Sequence, residues 1–83
     1  MKFTLPIKQF DTLQSLNGIS GFLSRIQRET SIVNFDVSDV SGFQDEIFFN
    51  IVEDGMDREG AVNAQGKEWY HVYDELLAQI HHP

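Results

Sequence analysis

Residues Ser31–Gly60 run SIVNFDVSDVSGFQDEIFFNIVEDGMDREG. In the first part Val33, Phe35 and Val37 alternate with Ile32, Asn34, Asp36 and Ser38, the period of a strand with one buried face. From Asp45 to Asp54 the same alternation sets Ile47, Phe49 and Ile51 against Phe48, Asn50 and Val52. Ser41-Gly42, between them, has turn chemistry, in a loop longer than the tight two-residue type. The stretch therefore predicts a hairpin of two strands, Ser31–Val40 and Asp45–Asp54. One face is wholly apolar and must meet helices; the other mixes Ile32, Phe48 and Val52 with Asn and Asp.

The same stretch concentrates charge. It holds eight of the thirteen acids (Asp36, Asp39, Asp45, Glu46, Glu53, Asp54, Asp57 and Glu59) against a single base, Arg58. A hairpin here supplies a buried face for the fold and an acidic face for a partner.

Toward the N-terminus, Lys2–Gln9 alternates Phe3, Leu5 and Ile7 with Lys2, Thr4, Pro6 and Lys8, predicting a half-buried strand. Pro6 has no N–H for a ladder, so this strand belongs at an edge. Asp11-Thr12-Leu13-Gln14 resembles a capping box, with Asp11 as cap and Gln14 reaching back. Leu16, Ile19, Phe22, Leu23 and Ile26 then share one side of a helical wheel. These predict a helix over Thr12–Arg28, irregular at Gly18, because Asn17-Gly18 carries turn chemistry and glycine costs a helix about 1 kcal/mol relative to Ala.

Toward the C-terminus, Glu53–Gly66 contains Gly55, Gly60, Asn63 and Gly66, a loop with at most a short strand near Ala61-Val62. Lys67–His81 is the clearest element. Trp69, Val72, Tyr73, Leu76 and Ile80 keep helical spacing, with Tyr70 and Leu77 at the margin. Glu68, His71, Glu75, Gln79 and His82 fall opposite. The expected fold is a single α+β domain over residues 1–83: a two-layer sandwich in β-α-β-β-α order, with a small mixed sheet and two helices on one face. A right-handed crossover through the first helix would lay the first strand parallel to a neighbour.

Composition narrows the function. Eighty-three residues suit one domain with a small core and no deep cleft. Hydrophobic residues are 41% of the chain, with seven Phe, which suits a packed core. No cysteine is present, which removes disulfides, thiolate metal sites and cysteine nucleophiles, and favours a reducing, cytoplasmic setting. The start, MKFTLPIKQF, has no signal-peptide apolar run, and Ile47-Phe48-Phe49 is far too short to span a bilayer. Net charge is −7, with a pI near 4.6. Direct nucleic-acid binding and anionic membranes are disfavoured, since both rely on Lys and Arg. A basic partner would be attracted and captured faster.

Chemical motifs are sparse. Gly18-Ile19-Ser20-Gly21 falls one residue short of a nucleophile elbow and follows no strand. Its GxxG spacing fits a nucleic-acid backbone clamp, which the charge argues against. Glu53–Gly60 lacks the ligand register of a calcium loop. His71 and Glu75 are one turn apart and would supply two metal ligands without a third. No cofactor fingerprint is present, and the acids fall at solvent-facing positions, so no metal, no cofactor and no catalysis are expected.

The function expected is that of a small acidic binding protein that occupies a basic site on another protein, of inhibitor, immunity or nucleic-acid-mimicking type. Its surface would comprise Asp36, Asp39, Asp45, Glu46, Glu53 and Asp54, with Phe48 as apolar anchor ringed by acids. The alternative is a subunit or adaptor, or a small homo-oligomer through the open sheet face.

Overall fold

A computed structural model of the chain describes residues 1–55 and 63–81. Within them lie three strands, β1 (Lys2–Pro6), β2 (Leu23–Arg28) and β3 (Ile32–Val37), and three helices, α1 (Ile7–Gln14), α2 (Val40–Asp54) and α3 (Ala64–His81). A short 3-10 turn, Ser20–Phe22, leads into β2. The chain is an α+β fold with its helices packed against one face of the sheet.

The sheet has the order β1-β3-β2, and both pairings are antiparallel. Alternation along β1 and β3 turns Phe3, Leu5, Val33, Phe35 and Val37 to the helices, all essentially inaccessible to solvent. Phe35 is the hub. Its ring meets Phe3, Phe10 of α1 and Phe43 of α2 at centroid separations of 5.6, 5.2 and 6.5 Å. Phe10 and Leu13, three apart on α1, bury the inner side of that helix. Trp69, Val72 and Leu76 do the same on α3, at the spacing that the sequence predicts.

The two sheet edges are closed differently. β1 lies at an edge, as Pro6 predicts, and α3 covers it. Thr4 donates its N–H to Gln79 Oε1 (3.0 Å), and Gln79 Nε2 donates back to the Thr4 carbonyl (2.7 Å), so one side-chain amide mimics a strand. β2, the other edge, carries a bulge: Ser24–Gln27 faces Asp36–Asn34, with one residue too many. Arg25 sits in the bulge at φ 50°, in the left-handed region, which twists the ladder away from any further strand.

Between α1 and β2 the chain turns at Asn17-Gly18. Gly18 adopts φ 78°, a conformation that glycine reaches without steric cost. The turn is held by Asn50 of α2, 3% exposed. Asn17 donates its N–H to Asn50 Oδ1 (3.1 Å), and Asn50 Nδ2 donates to the carbonyls of Asn17 (3.0 Å) and Glu46 (2.9 Å). The end of α2 also lies hard against the start of α3. A Cβ on Gly55 would come within 3.0 Å of Gly66 Cα and 2.7 Å of the Ile51 carbonyl, so no side chain fits there. Asn63 caps α3 by accepting the Gly66 N–H (2.8 Å) and donates its own N–H to the Gly55 carbonyl (2.9 Å).

Several expectations are corrected. The span Asp45–Asp54 is helix, so there is no hairpin with Ser31–Val40; β3 pairs with β1 and β2 instead. Ile47 and Ile51 are buried under either reading, but the helix exposes Phe49 and buries Asn50, the reverse of the alternation. Thr12–Arg28 is not one helix: α1 begins at Ile7, directly after Pro6, and ends at Gln14. Ile7–Gln9 is therefore helical, and Asp11 lies within α1 rather than capping it. Asp11 and Gln14 instead engage Arg28 of β2, at 3.5 and 3.0 Å. The sheet is antiparallel, not mixed. β1 and β2 do run the same way, but β3 lies between them. The order β-α-β-β-α survives with one more helix at its end, over different spans. The short strand expected near Ala61-Val62 lies outside the described residues.

Candidate functional site

Helix α2 sets the geometry of the acidic stretch. Asp39 is its N-cap, accepting the Gly42 N–H at Oδ1 (3.0 Å) in front of the apolar run. At about 3.6 residues per turn, Phe43, Ile47, Asn50 and Ile51 fall on one side and are buried. That forces Asp45, Phe48, Phe49 and Val52 outward. The exposed fractions are 47% for Phe48, 58% for Phe49 and 44% for Val52. Three large apolar side chains at spacings of one, three and four residues thus form a single exposed strip, with Asp45 one turn above. Phe48 also meets Tyr73 of α3, ring centroids 6.5 Å apart.

The charges of α2 are one-signed. Asp45, Glu46, Glu53 and Asp54 are its acids, and it carries no Lys or Arg. Glu53 and Asp54 occupy the last turn, where the helix dipole is negative and a cation would be preferred. Helix stability gives no reason for that placement. The negative helix end and the two carboxylates reinforce one another in attracting a cation.

The expected surface residues are divided by this arrangement. Asp45, Glu53 and Phe48 lie on the outer part of α2, and Asp54 is exposed at its end. Glu46 is half-buried against the turn at Gly18, close enough that a Cβ there would meet its carboxylate at 2.7 Å. Asp39 is engaged as a helix cap. Asp36 is on the far side of the molecule, on the open sheet face, where its carboxylate lies 3.9 Å from Arg25. Val52 flanks Phe48 on the outer face, as the sequence predicts, whereas Phe49 was expected inside. The signal for Phe49 was the i, i+4 repeat of Asp45, Phe49 and Glu53, legible only after helix is chosen over strand. Phe43, at the start of α2, is wholly buried and does not cover Phe48.

Hollows also lie elsewhere on the described surface. One, of about 380 Å³ on the open sheet face, is lined by Lys2, Thr4, Arg25, Gln27, Asn34 and Asp36 and is mainly polar. Another, of about 510 Å³ between α1 and α3, includes Lys8, Asp11, Glu68 and His71. Glu75, the possible metal partner of His71, accepts from Gln79 Nε2 (3.1 Å). Among the described residues no three His, Asp or Glu side chains gather where an ion could be held. Nor is any described helix long and apolar enough to cross a membrane. No family model, curated protein or solved structure matches the chain.

Proposed function

We propose that this chain is a small, non-catalytic acidic binding protein that occupies a basic site on another protein through the outer face of α2. One observation carries the reading: the helix exposes Phe48, Phe49 and Val52 together, flanked by Asp45 and Glu53 and free of any base. Each exposed Phe presents roughly 100 Å² of a ring that would bury about 150–250 Å² in full contact. The strip as a whole, somewhat under about 300 Å², is comparable with the largest apolar patch on an ordinary soluble domain, which is often functional. The apolar strip supplies desolvated contact at the centre, and the acids supply attraction at the rim. A cytoplasmic location fits the absence of cysteine.

Association through the open sheet face is less favoured. Lys2, Thr4, Asn34 and Asp36 give that face little apolar area for a stable dimer. The test is a comparison of baits in a low-salt pull-down. Wild type and the sheet-face variant Asp36→Lys should retain one basic protein, while Asp45→Lys/Glu53→Lys loses it. Equal recovery on all three baits would refute the proposal.

A further inference from the structure

Resting on the α2 reading, we infer that the segment docking there is a cationic amphipathic helix, seated along the seam between α2 and α3. The seam is apolar on both sides. Phe48 meets Tyr73 across it, and Leu77, one turn beyond Tyr73, is also only partly buried. Val52 stands one turn beyond Phe48, so each helix offers an i, i+4 apolar pair. Asp45 on α2 and Asp74 on α3 are the exposed acids beside these pairs.

The backbone excludes an extended partner. α2 and α3 satisfy their own N–H and C=O groups, so a strand laid on them would bury its own unpaired. Neither sheet edge offers an alternative. Gln79 occupies both backbone groups of Thr4 on β1, Pro6 has no N–H, and the bulge at Arg25 interrupts β2. A helix arrives with its backbone already bonded and presents side chains at the spacing the seam repeats. Lysines on its flanks would face Asp45 and Asp74.

The probe is a synthetic peptide of about 18 residues, long enough to hold a helix, with leucines on one face and lysines on the other. Two controls share its length: a scrambled sequence of the same composition, and a version with glutamate for lysine. Amide shifts of the isotope-labelled wild-type protein should move around residues 45–53 and 70–77 with the amphipathic peptide. Circular dichroism should show it becoming helical on binding. Both controls should fail to bind, and Phe48→Ser should weaken binding about tenfold. Equal binding of the scrambled peptide, shifts centred on the open sheet face, or a peptide that stays non-helical when bound would each overturn the inference. Because shift mapping uses wild type, the test survives a Phe48→Ser variant that fails to fold. If the peptide fails while the pull-down still depends on Asp45 and Glu53, the helical partner falls and the acidic binding reading stands.

Discussion

Asn50→Leu tests the packing that orients α2. The substitution keeps the branched heavy-atom outline of the side chain, with greater bulk, but removes the amide that grips the Asn17-Gly18 turn. Three hydrogen bonds go, at 3.1, 3.0 and 2.9 Å. The Glu46 carbonyl keeps its ordinary helical partner, so its share is small. The Asn17 N–H and carbonyl lose their partners at a partly buried site, where each net hydrogen bond contributes about 0.5–1.5 kcal/mol and an unsatisfied group costs more. We expect a loss of about 2–3 kcal/mol. A domain of this length has a total stability near the lower end of about 5–15 kcal/mol, so the midpoint should fall markedly. Urea titration followed by Trp69 fluorescence reads it cleanly, since that is the only Trp and it is 4% exposed. A change under about 0.5 kcal/mol, the range of an ordinary surface substitution, would refute the clamp and the orientation of α2 that depends on it.

Other substitutions probe separate parts of the fold. Trp69→Ala should cost about 3–5 kcal/mol in the same titration, the usual result of emptying a large core site. Asp39→Ala should cost about 1 kcal/mol by removing the N-cap, and Asp39→Ser should restore most of it. Arg25→Gly should raise stability by up to about 1 kcal/mol, because the bulge holds Arg25 at φ 50° and its ion pair is long and exposed; a loss of stability would show that the strain reading is wrong.

Some elements were legible because one period fits them over a longer run than any other. Phe3 and Leu5, then Val33, Phe35 and Val37, alternate on half-buried strands, and Trp69, Val72 and Leu76 keep helical spacing on α3. The stretch Asp45–Asp54 was ambiguous for a physical reason. Positions 47 and 51 are four apart, a spacing that both a strand and a helix place on one side. Only Phe49 and Asn50 separate the two, and composition suggests the wrong answer for each: a Phe is expected inside and an Asn outside. Ile, Phe and Val also favour strands locally, and tertiary packing overrides that preference. The cap at Asp39 was the available signal for a helix start.

β2 was hidden for the opposite reason. Past Leu23 it is exposed on both faces, Ile26 included at 42%, so burial imposes no period on its sequence. Leu16 and Ile19 are buried, but around a turn rather than along a helix. Gly18 marked that turn, and the apolar stripe outweighed it. The candidate surface inherits these errors. Asp36 and Asp45 were expected on one hairpin, yet β3 points Asp36 away from the helices while α2 carries Asp45 outward.

The binding claim rests on acids that helix stability does not require, and Glu53 and Asp54 are the sharpest case. In the free protein, Glu53→Lys/Asp54→Lys should leave the melting temperature unchanged or raise it, since it places cations at the negative end of α2. The decisive measurement is the association rate of this variant with the protein captured by wild type, recorded at low and high salt. The account predicts a rate at least about tenfold slower than wild type at low salt, the two rates converging as salt screens the attraction. An association rate equal to that of wild type at low salt, in a variant that folds as well, would contradict it: the acids of α2 would then play no part in meeting a partner.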